Sequence, residues 1–284
     1  MGIKDLWQLV EKKGYKPLTI FLPHQHTGIL RVDLQACLFS TLQRSYKHAT
    51  EVAHKAIDSA ISEMASKEHT VLYIDGEDTV EKKATSDSRR LSREKSEKKA
   101  TATMNKLEDQ LHQQKTPTKQ THIDIQKSIS GAFHLSLEER KRLGSYLQDH
   151  GWTVKVSETE SDVEIAKDCG PLDTVLTTDS DALIYNNIKT VWRLVSKQKV
   201  HCYDVDEVCL ELKLESRAHL TALGIVSTND YHQNIPTMGS ATNLGILREI
   251  HGSSKQLTQN PCFRFSALSS ILPPTNDSMT LHDI

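Results

Sequence analysis

The sequence predicts an α/β fold in which a twisted, mainly parallel β-sheet is flanked by helices. Apolar, strand-like segments alternate with amphipathic, helix-like segments, an order typical of parallel strands joined by crossover helices. Three strand-like segments also run into aspartate: GILRVD ends at Asp33, TVLYID ends at Asp75, and DTVLTTDSD contains Asp179 and Asp181. Because the carboxyl ends of parallel strands lie at one edge of a sheet, we expect these carboxylates to gather there.

The elements of the first half follow from hydrophobic periodicity and breaker residues. In order, we predict a helix at Lys4 to Lys13, a strand at Ile29 to Asp33, a long helix from about Gln35 to Ser66, a strand at Val71 to Ile74, and a charged helical region from Lys82 to about Gln114. The segment QKTPTKQTHID then breaks the helical pattern at Pro117. We interpret this charged region as an insertion on one face of the sheet.

The second half continues the alternation of helix and strand. Ser136 followed by Glu139 is the pattern of a capping box, and the helix that it starts, SLEERKRLGSYLQDHG, ends at Gly151. WTVKVS is the next strand, and ETESDVEIAKDC is a helix whose first turn carries Glu160, Asp162 and Glu164. After TVWRLVSK and VHCYDV, the chain is expected to be helical and then irregular, with no further strand.

Length and composition permit an intracellular enzyme without requiring one. A chain of 284 residues can form one large domain, or a domain with a smaller appendage. The five cysteines form no CxxC pair and no zinc-binding spacing, so we expect reduced thiols rather than a disulfide framework. No apolar run approaches the roughly 20 residues that span a bilayer. We therefore expect no contact with a membrane.

Carboxylates between apolar stretches predict a metal site. Several of them at close range repel each other and lose hydration, so they require a cation or a raised pKa. Mg²⁺ suits such a site because it prefers carboxylates, waters and phosphate oxygens. The alternative is that each aspartate only ends a strand and begins a turn, which is as plausible for any one of them. For the whole set, the metal site is favoured.

Positive charge is concentrated in one segment, although the formal net charge is only -2. KKATSDSRRLSREKSEKKATATMNK, from Lys82 to Lys106, carries more basic than acidic residues. A basic helix beside an acidic metal cluster would hold a polyanion at that cluster. A solvated helix with interleaved Glu and Lys pairs explains this segment equally well.

Six segments, taken in order, resemble the flap endonuclease and XPG-type structure-specific nucleases, a branch of the PIN-like nuclease fold. MGIKDLWQLV is similar to that family's MGIxGLxxLI start, and ILRVDLQACLF to its first-strand aspartate segment. TVLYIDGEDTVEKKATSDSRR resembles the FDG segment and its basic helix, ETESDVEIA the EAE segment, and VLTTDSDALIY the TEDSD segment. LGIVSTNDYHQNIPTMGSATNLGIL resembles the helix-hairpin-type GCDY segment.

The resemblance implies a PIN-like nuclease core at residues 1–200, with a helical arch at about 82–135. It implies a helical, helix-hairpin-type region and an irregular tail at 201–284. The implied metal ligands, for two Mg²⁺ ions that Mn²⁺ can replace, are Asp33, Asp75, Glu160, Asp162, Asp179, Asp181 and Asp230.

The resemblance also implies residues that contact the nucleic acid. Lys82 and Arg89 match the catalytic basic pair that contacts the scissile phosphate, and Phe39 matches an aromatic that stacks on a base. A core position on its helix is at least as plausible for Phe39. The further implied substrate-binding residues are Gly2, through its amine if Met1 is removed, and Arg90, Arg93 and Gly239.

Three departures from the family pattern affect these assignments. ESD replaces EAE, so the ligands are Glu160 and Asp162, as we prefer, or Asp162 and Glu164. Acidic Glu77 and Asp78 stand in a step that often reads Lys-Pro-Pro, which should weaken the approach of phosphate. Thr237 replaces a glycine of the duplex-binding turn, although Gly239 is kept.

The leading functional hypothesis is a magnesium-dependent 5′ endonuclease or exonuclease, a monomer that acts on branched or flapped DNA with single-strand/double-strand junctions. A PIN-like protein without turnover, serving in RNA binding or scaffolding, is the rival, and an RNA-directed nuclease would share the same site. We see no sliding-clamp motif. The basic stretch LSREKSEKKA predicts a nuclear location, although the arch explains this stretch better. The alternative location is the cytoplasm.

Overall fold

The computed structural model describes residues 2–231 and 238–259, and within them one seven-stranded sheet carries the fold. Its strands are β1 (Leu18–Phe21), β2 (Leu30–Asp33), β3 (Thr70–Ile74), β4 (Thr153–Val156), β5 (Thr174–Thr177), β6 (Thr190–Ser196) and β7 (Lys199–Asp204). Its helices are α1 (Leu6–Lys12), α2 (Leu34–Ser45), α3 (Thr50–Ser62), α4 (Lys83–His112), α5 (Lys119–Ala132), α6 (Leu137–Asp149), α7 (Ser161–Asp168), α8 (Val205–Glu211), α9 (Arg217–Val226) and α10 (Ser240–Gln259).

The sheet is mainly parallel, which confirms the predicted fold class. Its strand order is β1-β7-β6-β5-β2-β3-β4, and the pairs β5/β6, β2/β5, β2/β3 and β3/β4 are parallel. Only β7 departs from this direction among the described strands, since it runs antiparallel to both β6 and β1. The parallel order places the carboxyl ends of β5, β2, β3 and β4 side by side.

The hydrophobic core between the sheet and helices α2, α3 and α6 follows the predicted alternation. Val32, Leu72 and Leu176 of three neighbouring strands are buried, and Leu38 of α2 and Leu143 of α6 belong to the same cluster. Burial of each such side chain contributes about 1.5–3 kcal/mol. This core holds the strand ends in fixed positions relative to each other.

The single long helix predicted from Gln35 to Ser66 is wrong, because the chain forms α2 and α3 with a break after Ser45. Neither glycine nor proline marks the break in the sequence. Tyr46, at the break, lies against His54 of α3, and its hydroxyl is 3.1 Å from Nε2 of that ring. The break lets α3 turn back so that Ile57 and Ile61 reach the core.

Strand β1 was not predicted from the sequence. It covers four residues, LTIF, and pairs with β7 in the register Leu18↔Cys202 to Phe21↔Lys199. A strand that is short and whose partner lies so far along the chain has no local signal of its own.

Helix α6 begins as predicted from the capping box. The Ser136 hydroxyl accepts a hydrogen bond from the backbone N–H of Glu139, and the Glu139 carboxylate accepts one from the backbone N–H of Ser136. Such reciprocal caps contribute about 1 kcal/mol and fix where the helix starts.

The charged insertion is a helical hairpin formed by α4 and α5, which pack side by side. Ala100 of α4 and Ser128 of α5 are buried in it. Gln43 of α2 donates a hydrogen bond of 2.6 Å to the carbonyl of Ser130, which joins the end of the hairpin to the body.

The described residues up to Leu244 form one compact unit, and the α10 residues from Gly245 to Gln259 belong to a second. The division predicted after residue 200 stays a prediction; β7 crosses this position. The predicted irregular tail lies outside the described residues from 260 onward. No helix of the described residues is long and apolar enough to cross a membrane.

Candidate functional site

Four neighbouring parallel strands deliver acidic residues to one edge of the sheet. Asp33 is the last residue of β2, Asp75 follows β3, and Asp179 lies two residues after β5. The segment after β4 leads to Glu160, the residue that precedes α7. This is the gathering of carboxylates that the strand-end pattern predicts.

Asp162, Asp179 and Asp181 form the closest group, and one carboxylate oxygen from each lies within 4.8 Å of the others. The Asp179 carboxylate accepts a hydrogen bond of 3.1 Å from the backbone N–H of Asp181. Asp181 in turn accepts one of 2.8 Å from the backbone N–H of Ile3. Three acidic side chains are therefore held within reach of a single cation.

The N-terminal segment is built into this site. Ser180 donates a hydrogen bond of 3.0 Å to the carbonyl of Ile3, and the Trp7 indole donates one of 3.1 Å to the carbonyl of Thr178. Gly2 has a φ of 84°, and a Cβ at this position would overlap the Asp179 carboxylate. The sequence-predicted Gly2 thus lies against a predicted ligand.

Asp33 and Asp75 are each oriented by neighbours from other elements. Asp33 accepts hydrogen bonds of 3.0 Å from the backbone N–H of Ala36, where it caps α2, and of 3.0 Å from the Thr177 hydroxyl. Asp75 accepts bonds of 3.0 and 2.6 Å from the backbone N–H and the hydroxyl of Ser161. These contacts link β2 to β5, and β3 to α7.

Burial and mutual repulsion raise the pKa of several of these carboxyl groups. Burial, then the nearby Asp75, raises the pKa of Asp33 to about 7. Burial, then Asp179, raises the pKa of Asp181 to about 7. Burial, then Asp33, raises the pKa of Asp162 well above its ordinary value. A site that protonates so readily has too much negative charge for its surroundings, and a bound cation would relieve it.

Glu160 and Asp230 are paired with the two predicted catalytic cations, Lys82 and Arg89. Lys82 Nζ lies 2.5 Å from the Glu160 carboxylate and 4.7 Å from the centre of the Tyr231 ring. The Tyr231 hydroxyl also donates to Glu160, and Arg89 lies 2.7 Å from Asp230. Burial alone would lower the pKa of Lys82, but the bond to Glu160 and the other nearby carboxylates outweigh it and raise that pKa.

A cleft of about 530 Å³ lies over the carboxylates, bounded on one side by the beginning of α4 and on the other by residues 130–135. The predicted residues that line it are Asp33, Phe39, Asp75, Lys82, Arg89, Arg93, Glu160, Asp162, Asp179 and Asp230. Glu164 is not among its lining residues, whereas Glu160 is. The negative floor and the positive wall of one cleft therefore combine the two charge patterns of the sequence.

Phe39 lies at the mouth of this cleft and not in the core. Its side chain is 47% exposed, and its ring packs edge-on against Phe133 with centroids 5.9 Å apart. The sequence allowed two interpretations of Phe39, a core position or a base-stacking aromatic. The core position is wrong, because an exposed aromatic face remains for a ligand.

Two predicted substrate-binding residues lie away from the cleft. Arg90 is on the exposed side of α4, where it pairs with Asp87 at 3.3 Å and Glu94 at 3.1 Å. The carbonyl of Gly239 accepts hydrogen bonds at the start of α10, and a Cβ at Gly239 would meet open space. The rest of the predicted duplex-binding turn, including Thr237, lies at 232–237, outside the described residues.

Sequence reasoning missed the residues that orient the carboxylates. Ser161, Thr177 and Tyr231 each donate to an acidic side chain of the site. Arg140 of α6 lines the cleft and donates a hydrogen bond to the backbone carbonyl of Asp75. Ser161 and Tyr231 stand directly beside predicted ligands in the sequence, which is the one signal that would have found them.

The donor set fits a hard divalent cation. Asp162, Asp179 and Asp181 offer only carboxylate oxygens, the donors that Mg²⁺ and Mn²⁺ prefer. Burial and the neighbouring carboxylates raise the pKa of Asp162 and of Asp181, and a bound cation would offset that repulsion. Asp33 and Asp75 lie on the same floor and extend the acidic surface beyond one ion.

Comparison with known sequences finds no matching family model and no matching curated protein. Among solved structures, the chain is similar to the catalytic core of Rad2 in complex with DNA substrate, with 15% identity over 92% of this chain and 74% of that chain, and a TM-score of 0.54. It is similar to human GEN1 in complex with Holliday junction DNA (17% identity, 92% and 62% covered, TM-score 0.54). It is similar to flap endonuclease-1 from Methanococcus jannaschii (17% identity, 91% and 80% covered, TM-score 0.54). The chain therefore has the fold of the flap endonuclease and XPG-type nucleases, as its ordered motifs predict.

Proposed function

We propose that this protein is a metal-dependent, structure-specific 5′ nuclease that hydrolyses phosphodiester bonds in branched DNA by a two-metal-ion mechanism. The observation that carries the proposal is the joining of a buried carboxylate cluster and a basic helix in one cleft. The fold supports it, because structures with the same fold hold DNA: Rad2 holds a DNA substrate and GEN1 holds Holliday junction DNA.

Asp162, Asp179 and Asp181 would hold one Mg²⁺ ion, and the remaining acidic residues of the floor would complete a second site. When bound, the metal supplies an activated water and stabilises the oxygen that leaves during in-line attack on phosphorus. The hydrogen bonds from Ile3 and Ser161 keep Asp181 and Asp75 from turning, so the ligands are preorganised.

Lys82 and Arg89 would bind the scissile phosphate. Both lie on the wall of the cleft and both now neutralise carboxylates, Glu160 and Asp230. The Lys82 ammonium and the Arg89 guanidinium would face the phosphate if Glu160 and Asp230 instead served as metal ligands. Their charge then offsets the negative charge that develops on phosphorus oxygens in the transition state.

Phe39 and Arg93 would hold the strand next to the cut. Phe39 presents an exposed ring at the mouth of the cleft, on which any base can stack. Arg93 lines the same cleft, one turn beyond Arg89 on α4, where it can reach the next phosphate. Such contacts do not depend on base sequence, as a nuclease that recognises branched structure requires.

A catalytically weak or inactive binding protein is the second candidate, and one observation favours it. Glu77 and Asp78 also line the cleft and add negative charge on the path of a phosphate. In that case the carboxylates of the cleft would not support catalysis, and the basic helix would bind RNA or a protein.

The proposal is tested by cleavage of a 5′-labelled DNA flap in Mg²⁺ and in Mn²⁺. A matched single strand and a matched RNA flap rank the substrates, and the Asp179→Ala protein is the control. We expect cutting at the junction by the wild-type protein and none by the variant. If a folded wild-type protein cuts none of the substrates, the nuclease proposal is abandoned for the binding protein.

A further inference from the structure

Arg140 is a buried cation that no part of the proposed chemistry uses. It lies in the first turn of α6, its side chain lines the cleft, and the residue is 8% exposed. Its Nη1 donates hydrogen bonds of 3.1 Å to the carbonyl of Asp75 and of 2.7 Å to the carbonyl of Gly76. Arg140 therefore holds the backbone of a predicted metal ligand through its carbonyl.

The backbone that Arg140 holds is also paired with the segment that leads to Glu160. The N–H of Gly76 donates to the carbonyl of Thr159 at 2.5 Å, and the N–H of Glu77 donates to the carbonyl of Glu158 at 2.9 Å. A Cβ at Gly76 would overlap the carbonyls of this segment. The two backbone segments therefore lie too close together to admit a side chain at this position. The turn after β3 and the loop before α7 thus form one unit.

Arg140 supports the turn at a cost to its own hydrogen bonding. Its Nε is buried and has no hydrogen-bond partner among the described residues. Burying an unpaired polar group costs about 1–3 kcal/mol. An apolar residue of similar volume would avoid that cost, but it would leave both carbonyls without a donor and the turn without support.

We propose that Arg140 is a positioning residue of the metal centre, which fixes Asp75 and, through the paired backbone, Glu160. The inference rests on the proposed function, because it assigns Arg140 to the metal site of that nuclease. Without the guanidinium, the turn after β3 loses its support from α6, and the two carboxylates no longer keep a fixed separation. Loss of a group that holds a metal ligand without touching the metal typically changes metal affinity by about 10–100-fold.

The test measures the affinity of the full chain for Mn²⁺ in the absence of DNA, with electron paramagnetic resonance and calorimetry as the two readouts. The first variant is Arg140→Gln, which removes the positive charge and the guanidinium N–H donors. The second is Arg140→Lys, which keeps the charge but replaces the planar guanidinium with a single ammonium. The matched control is Arg142→Gln on the same helix, where the arginine side chain is 68% exposed.

We expect Arg140→Gln to weaken Mn²⁺ binding about 10-fold or more, Arg140→Lys to fall between it and the wild type, and Arg142→Gln to match the wild type. We also expect kcat at a fixed metal concentration to fall while KM for DNA stays unchanged. A folded Arg140→Gln protein that binds Mn²⁺ as tightly as the wild type would overturn the assignment, even if its Tm is lower. If Arg140→Gln does not fold, wild-type affinity of Arg140→Lys overturns it instead.

These outcomes separate the inference from the function on which it rests. A wild-type protein that binds no Mn²⁺ removes the metal centre itself, and with it the proposed nuclease. Tight binding by the wild type and by Arg140→Gln removes only the role of Arg140.

Discussion

Replacing Asp181 by asparagine should stabilise the metal-free protein while it abolishes activity. Asparagine has the shape of aspartate, and its carbonyl can keep the 2.8 Å hydrogen bond from the backbone N–H of Ile3. What is lost is a buried negative charge beside Asp179. Burial and that neighbour raise the pKa of Asp181 from 3.8 to about 7. One pKa unit corresponds to about 1.4 kcal/mol, so the ionised carboxylate costs up to about 4 kcal/mol.

The sign of the pH dependence follows from the raised pKa. The folded wild-type protein binds this proton more tightly than the unfolded chain, so its stability falls as the pH rises from about 4 through about 7. In Asp181→Asn the side chain does not titrate, so this pH-dependent loss of stability is absent. Relative to the wild type, it should gain stability across that window, and the gain should be complete above about pH 7.

The assay is thermal and urea unfolding at pH 5 and pH 8 in the presence of a chelator. For a domain of this size, a few kcal/mol corresponds to a rise in Tm of roughly 10 °C at pH 8. The matched control is Glu138→Gln, whose carboxylate is 84% exposed and which should change stability by less than about 0.5 kcal/mol. If Asp181→Asn is no more stable than the wild type at pH 8, with a parallel pH profile, the reasoning about a repulsive buried cluster is refuted.

Added Mg²⁺ should stabilise the wild type more than the variant.

Two further predictions concern the wall and the mouth of the cleft. Lys82→Ala should lower kcat for flap cleavage by about 100-fold or more and weaken DNA binding far less, because its charge acts mainly in the transition state. Arg90→Ala is the matched control on the exposed side of the same helix, and equal losses of kcat and binding in Lys82→Ala would reduce Lys82 to a simple DNA contact. Phe39→Ala should weaken single-strand binding by about 10-fold, measured by fluorescence anisotropy, with little loss of stability because the ring is 47% exposed. A large fall in Tm with unchanged binding would assign Phe39 to packing against Phe133.

The sequence was most informative where local pattern and topology agree. An apolar run that ends on aspartate can be recognised from its own residues, and a parallel sheet then brings Asp33, Asp75 and Asp179 to one edge. The capping box at Ser136 is equally local, and it sets the start of α6 in the structure. These features depend on short spacings that tertiary packing does not override.

The sequence was least informative where distant partners decide the local structure. The break between α2 and α3 has no glycine or proline to mark it, and it follows from the packing of Tyr46 against His54. Strand β1 exists because Leu18 pairs with Cys202 of β7. In both cases the energy comes from contacts that a periodicity analysis of neighbouring residues does not contain.

The sequence by itself determined the fold class, the acidic residues at the strand ends and the basic helix beside them. Only the tertiary structure decided which of these groups meet: Lys82 pairs with Glu160, Phe39 faces the cleft, and Arg90 faces away from it. Only the tertiary structure brought Arg140 to the backbone carbonyl of Asp75. The physical reason is that side-chain chemistry and periodicity are written along the chain, whereas burial, repulsion between carboxylates and hydrogen bonds between distant segments exist only once the strands are side by side.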